Sequence, residues 1–284
     1  MVEKVRRLLT RTRQGVGRRV TWYRDAAEWH SARAFRGSPP WCRNRWGHRY
    51  RTLSLRDYNY LRDGNPETHE AAFLGRVLRP GMTVVDAGAN HGIFCFEAAH
   101  FVGTSGVIHA FEPAPVTHEC LIENLRVNGI GNVRVSRAAL GAEPGAARFR
   151  VHHAWSGLNT MADRDITWMG RTLVADEVIE VPVVTLAGHA AAEGVTHVDF
   201  LKIDVEGFEL AVLRGARPLL AARAVGWVMF EVGDGTCKNA GVDPDEVLAE
   251  LHGQGYEVRP ILPDGALGPR VESFPKGSFS ANFV

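Results

Sequence analysis

The stretch Thr83 to Glu97, TVVDAGANHGIFCFE, constrains the fold more than any other. Thr83, Val84 and Val85 form a short β-branched run, too brief for a helix, and predict a buried strand that Asp86 ends. Gly88 and Gly92 bracket a tight turn, after which Ile93, Phe94, Phe96, Ala98 and Ala99 mark the apolar face of a helix. Strand, glycine turn and helix bring backbone close to a nucleotide-like ligand. Gly88 lacks a Cβ and tolerates positive φ, so a ligand can approach it. A second apolar run, Val107-Ile108, leads to Glu112, twenty positions after Gly92. That is where an acid at the end of a second strand meets ribose hydroxyls.

The glycine spacing separates two cofactor classes. A nicotinamide fingerprint needs glycines at relative positions one, three and six. Counted from Gly88, those positions hold Gly88, Asn90 and Ile93. A sulfonium cofactor has no pyrophosphate to seat on a helix N-terminus, so it does not need the third glycine. The pattern Asp-x-Gly-x-x-x-Gly resembles the first motif of class I S-adenosylmethionine methyltransferases.

Composition sets the class of protein. The chain has 284 residues, 45% hydrophobic and 23% charged, as in globular proteins. No run approaches the roughly 18 apolar residues of a membrane span, and the first residues lack the apolar core of a secretory signal. The four cysteines, Cys42, Cys95, Cys120 and Cys237, are scattered with no metal or redox spacing. Cys95 and Cys120 fall on expected helices and read as small buried hydrophobes. A reducing, cytoplasmic setting is expected.

The small net charge hides an asymmetry. Residues 1–62 hold 16 Lys+Arg against 4 Asp+Glu, a formal +12, and the remainder is a formal −11. We therefore expect a basic, aromatic-rich extension over 1–65 and a catalytic domain over 66–284. Val2, Val5, Leu8 and Leu9 could form one side of a helix within 1–20. Such an arm lies on an anionic membrane or nucleic acid, or docks on its own acidic domain. The four-residue apolar face favours docking. Trp22, Tyr23, Trp29, Phe35, Trp41, Trp46, Tyr50, Tyr58 and Tyr60 argue against pure disorder and suggest a lid.

Along the domain, a helix is expected from Pro66 to Leu78 and a second from Pro115 to Asn128. A strand is expected at Val133-Arg134-Val135, and accessory strands at 147–152 and 178–184. Between the accessory strands, HHAWSGLNTMADRDITWMG has little periodicity and reads as a loop over a site. Further strands are expected at 199–205 and 226–232, with a helix from Gly207 to Ala222. Asp243-Pro244 signals a capped helix start. Tyr256 to Leu262 and Ser278 to Val284 read as a closing strand pair with no helix between them. The expected fold is α/β: a mostly parallel, Rossmann-like sheet with a C-terminal antiparallel pair and helices on both faces.

The most specific stretch is LKIDVEGFELAVLRGA, Leu201 to Ala216. Lys202, Asp204 and Glu206 alternate with Ile203 and Val205 across a strand end, where ligands bind in α/β sheets. Glu209 is explained as an acidic helix cap. A Lys-x-Asp inside an apolar strand is not, because buried charges are costly unless paired or functional.

Taken together, VVDAGANHG, AFEPAP, ENLRVNG with RAALG, VPVVTL, DFLKIDVEGFELAVLRGA and FEVGDG resemble the FkbM family of S-adenosylmethionine-dependent methyltransferases, over roughly residues 68–235. The resemblance implies the class I fold, O-methylation of a hydroxyl on a natural product or sugar, and S-adenosyl-L-methionine as cofactor. It implies a cofactor site drawn from Glu70, Asp86, Gly88, Ala89, Asn90, Gly92, Glu112, Pro113, Ala139 and Asp204. The family often follows VPVVTL with Asp, where this chain has Ala187. If that Asp contacts ligand, this chain lacks the contact.

An alcohol is a poor nucleophile at neutral pH, so a general base is expected. Asp204 is the first candidate, followed by Glu206, Glu231 and His153; His91 reads as a packing or backbone-capping residue. No metal ligand set is expected, although Asp204, Glu231 and Asp234 could together hold a divalent cation. The expected partner is a small-molecule hydroxyl acceptor, with nucleic acid disfavoured. Alternatives are a nicotinamide oxidoreductase, a nucleic-acid-associated protein using the basic segment, and a noncatalytic sulfonium-binding scaffold.

Overall fold

A computed structural model of the chain describes residues 41–61, 68–168, 171–274 and 280–284. The helix expected within 1–20, the aromatic residues Trp22 to Phe35, the start at Pro66 of the first domain helix and the first residues of the last strand lie outside them.

The described chain begins with a two-stranded antiparallel hairpin, β1 (Cys42–Arg43) and β2 (Arg49–Tyr50), followed by α1 (Leu55–Leu61). These elements are part of the core. Tyr50 is fully buried against Phe96 and donates its hydroxyl to the Leu61 carbonyl at 2.9 Å. Trp46 Nε1 donates to Glu97 Oε2 at 2.9 Å, and Asn124 Oδ1 accepts from the Arg51 backbone N–H at 3.0 Å.

Next come α2 (Thr68–Val77), β3 (Thr83–Ala87), α3 (Ile93–Val102), β4 (Val107–Phe111), α4 (Pro115–Val127) and β5 (Val133–Ser136). β3 runs past Asp86, the expected end. A small accessory sheet follows from β6 (Ala139–Leu140), β7 (Gly145–Val151) and β10 (Glu177–Val184). Between β7 and β10 the expected loop holds a 3₁₀ turn at Ser156–Leu158 and a short hairpin, β8 (Ile166–Trp168) and β9 (Arg171–Leu173). The chain then continues through α5 (Leu186–Glu193), β11 (Val198–Ile203), α6 (Glu209–Ala221), β12 (Val225–Gly233), α7 (Asp234–Ala240), α8 (Pro244–Gly253) and β13 (Ser280–Phe283). The α8 start is a capping box between Asp243 and Glu246 with Pro244 inside it. Sequence reading missed α7, a seven-residue helix whose glycine and threonine give little periodic signal.

The main sheet has the order β13-β12-β11-β3-β4-β5. β13 alone runs antiparallel, pairing with β12. The expected strand 256–262 is reduced to two isolated antiparallel bridges, Pro260 with Phe283 and Ile261 with Leu267, beside two backbone bonds between Arg259 and Val284. Pro260 has no N–H to extend a ladder.

Alternation along the strands divides the core. Val84, Ile108, Phe200 and Met229 face one side, with α2, α3, α4 and the 41–61 segment. Val85, Leu201, Val228 and Phe230 face the other, with α5, α6 and α8. Where β3 stops, the order reverses: β4 lies to one side and β11 to the other. That switch point opens the crevice in which α/β sheets bind ligands.

Candidate active site

A cleft open to solvent at its mouth lies at this switch point. Gly88, Asn90, Glu112, Pro113, Ala139, Asp204 and Glu206 line it, all anticipated from sequence. Phe111, Leu140, Phe149, Ser156, Asn159 and Met161 also line it, contributed largely by the accessory sheet and the loop after it. The sequence placed the loop that holds Ser156, Asn159 and Met161 over a site without singling out these residues, and missed Phe149 because β7 reaches the cleft only through tertiary packing.

The glycine turn is built for two contacts. Gly88 has φ +83°, and a Cβ there would strike the Asp204 carbonyl oxygen. The position must therefore be glycine so that the β3 and β11 ends can approach, as well as to leave room for a ligand. Asn90 (φ +47°) carries the turn onward in the left-handed region that asparagine tolerates. At Gly92 (φ +93°) an added Cβ would meet Leu121 of α4. Ala89 and Gly92 shape the turn without lining the cleft.

Glu112 is buried, and both its oxygens are held by backbone. Oε2 accepts from Asn90 N–H and Oε1 from Ala114 N–H, each at 3.0 Å. Burial pushes its carboxyl up to about 7, against the pull of these two bonds. Each oxygen keeps acceptor capacity toward the cleft.

On the opposite wall, Lys202 stands beside Asp86 in the β11–β3 register. Its Nζ donates to Asp204 Oδ2 at 3.0 Å, lies 3.9 Å from Asp86 Oδ1, and sits 5.5 Å from the Phe94 ring centre. Asp86 is fully buried and accepts from Cys95 Sγ at 3.2 Å, while its Oδ1 has no hydrogen-bond partner. Burial raises the Asp86 carboxyl and Lys202 opposes the rise. Glu209 does not cap its helix; its Oε1 accepts from the Val205 and Gly207 N–H groups and pins the turn that precedes it. The Glu206 carboxyl is pushed well above its ordinary value by burial, then by Asp204, Glu231 and Glu209.

Four candidates stand elsewhere. Glu231, on β12 opposite Asn282, and Glu70, which accepts from Asn282 Nδ2 at 2.9 Å, lie beyond the cleft lining. His153 lines a neighbouring cavity, with its Nε2 3.6 Å from Glu177 Oε1. His91 is buried, and its Nε2 accepts from Leu53 N–H at 3.3 Å. Ala187, in the first turn of α5, does not line the cleft. Among the described residues, no three His, Cys, Asp or Glu groups are disposed to hold a metal ion; the Asp234 side chain is outside the described set.

A family model described as "Methyltransferase FkbM domain" matches residues 86–258. The chain belongs to the FkbM methyltransferase family. It is 33% identical over 208 residues to the 31-O-demethyl-FK506 methyltransferase FkbM of Streptomyces tacrolimicus, covering 65% of this chain and 76% of that one. It is 27% identical over 203 residues to the hexuronic acid methyltransferase AglP of Haloferax volcanii, covering 72% and 75%. A solved FkbM methyltransferase from Methylobacillus flagellatus KT aligns with a TM-score of 0.42 and 15% identity, over 75% of this chain and half of that one.

S-adenosylmethionine, the cofactor of this FkbM-family domain, fits the residues present. Glu112 offers a paired acceptor for vicinal hydroxyls and acidic groups on the β11 side suit a cationic sulfonium, whereas Asp86, fully buried, does not line the cleft.

Proposed function

We propose that this FkbM-family methyltransferase transfers a methyl group to a hydroxyl of a small natural product or sugar. The observation that carries this reading is Asp204: a carboxylate on the cleft wall, held by Lys202, facing across the cleft from Glu112. When bound, the cofactor supplies an electrophilic methyl on sulfur. Glu112 binds the ribose hydroxyls, and the apolar strip of Pro113, Ala139 and Leu140 takes the flat base beside them. Asp204 orients the acceptor hydroxyl and takes its proton as the methyl–oxygen bond forms and the methyl–sulfur bond breaks, with a neutral thioether as leaving group.

Glu206 is a weaker base candidate, because burial and the neighbouring carboxylates Asp204, Glu231 and Glu209 disfavour its ionised form. Lys202 neutralises Asp86 and aims Asp204. The two relatives, named for methylating 31-O-demethyl-FK506 and hexuronic acid, support an oxygen acceptor on a natural product or sugar. A reducing, cytoplasmic setting suits four buried free thiols.

The test is to incubate the protein with methyl-labelled S-adenosylmethionine and a panel of hydroxylated macrolides and sugars. Label on a hydroxyl oxygen is the expected result, and label on nitrogen or carbon would overturn the O-methylation reading.

A further inference from the structure

A buried polar chain joins the 41–61 segment to the cofactor turn through Ser156. Ser156 Oγ lies 2.8 Å from Asn90 Oδ1 and 3.3 Å from Asp57 Oδ2. The same Asp57 oxygen accepts from Ser54 Oγ at 2.8 Å and faces His91 Nε2 at 3.9 Å. Asp57, Ser156 and His91 are all buried. A second tie runs parallel: the Arg56 guanidinium stacks over the Trp155 ring at 4.1 Å, and Leu55 packs with Ala154 and Leu158. Thus α1 and the loop after β7, distant in sequence, form one cap against the cofactor turn.

A proton count gives this chain a direction. Ser156 has one hydroxyl proton and two oxygen neighbours. The shorter contact takes it, so Ser156 Oγ donates to Asn90 Oδ1, while Asp57 Oδ2 holds the Ser156 backbone, accepting its N–H at 3.5 Å. Burial raises the Asp57 carboxyl, opposed by His91 and by the bonds it accepts from Ser54 and Ser156. His91 Nε2 already accepts from Leu53 N–H, so that nitrogen carries no proton to offer Asp57. With its Oδ1 engaged, Asn90 is left its amide N–H donors, and Asn90 lines the cleft.

We infer that Ser156, set by Asp57, is a positioning residue: it fixes the Asn90 amide so that its N–H groups face the cofactor. The acceptor on the cofactor is an oxygen, of the ribose or of the methionine carboxylate. This rests on the reading of the cleft as the S-adenosylmethionine site. Cofactor affinity is thereby coupled to the seating of the cap, which a contact of purely structural value would not do.

The experiment is a double-mutant cycle on the full chain, with S-adenosylmethionine binding followed by calorimetry and turnover at saturating cofactor. Ser156→Ala is expected to weaken binding by about three- to tenfold, with little change in turnover at saturation. Ser156→Thr restores affinity. In an Asn90→Ala background, Ser156→Ala adds nothing further. Asp57→Asn, which keeps an acceptor oxygen for the Ser156 backbone N–H, binds nearly as wild type, whereas Asp57→Ala binds as Ser156→Ala does.

Additive effects of Ser156→Ala and Asn90→Ala would overturn the inference while leaving the cofactor site standing. So would unchanged affinity in a folded Ser156→Ala protein. A wild-type chain that fails to bind S-adenosylmethionine would overturn both readings. Thermal melting of each variant separates loss of folding from loss of affinity. A destabilised but tight-binding Ser156→Ala protein would count against the inference.

Discussion

Asn90 donates its backbone N–H to Glu112 Oε2 at 3.0 Å. The residue at the left-handed corner of the glycine turn thus holds the acid at the end of the neighbouring strand. The two motifs legible in the sequence are one object in space. A change at either reaches the other, and Asn90 extends the connection through its side chain to the cap.

Glu112 is expected to carry much of the cofactor affinity. A hydrogen bond to a charged group contributes about 1.5–3 kcal/mol, so Glu112→Ala should weaken S-adenosylmethionine binding by roughly tenfold or more. Titration calorimetry with the folded variant checks this, with Glu112→Gln separating charge from shape.

Cofactor affinity should depend on pH in a particular direction. Burial raises the Glu112 carboxyl from 4.5 to about 7. In the ligand-free chain its contribution to stability is complete below 4.5 and is lost as pH rises through 7. Two ribose hydroxyls favour the ionised form, so binding tightens as pH rises and levels off above 7. Below 7 the slope approaches about tenfold per pH unit. Dissociation constants between pH 5.5 and 8 should show this for the wild type and lose it in Glu112→Gln.

Asp204→Asn keeps shape and removes basicity. Turnover should fall by about 10²–10⁴-fold while S-adenosylmethionine binding changes little. Steady-state kinetics beside calorimetry checks it. Near-normal turnover would move the role to Glu206, then to Glu231 and His153, the last two of which lie beyond the cleft lining.

Lys202→Met should act on folding more than on chemistry. It leaves the fully buried Asp86 carboxyl without its nearest cation. Breaking a buried pair costs about 3–5 kcal/mol, offset to the extent that Asp86 takes a proton. Urea denaturation should show the loss, and a partial recovery at acid pH.

Deleting residues 1–61 should destabilise the chain, because Cys42, Tyr50 and Leu61 are core residues. Deleting only 1–40 should leave cofactor affinity near wild type. Melting curves and calorimetry on the two truncations distinguish a structural segment from an arm.

The local grammar of this chain was written in its sequence. β-branched runs before Asp86 and Glu112 specify strands, glycines specify the turn between β3 and α3, and Asp243-Pro244 specifies a helix start. Each depends on sterics and hydrogen bonds within a few residues. Strands alternating with helices then leave few topologies, so the parallel sheet and its switch point followed. Tertiary structure alone decided which groups meet. Gly88 is glycine partly because the Asp204 carbonyl, far along the chain, comes against it. Ser156 stands in an aperiodic loop and Asp57 in a segment that charge counting marked as an appendage. Nothing local sets either residue apart. Their meeting at Asn90 is fixed by the packing of α1 and the loop after β7 over one turn, a relation between distant segments that no short-range pattern encodes.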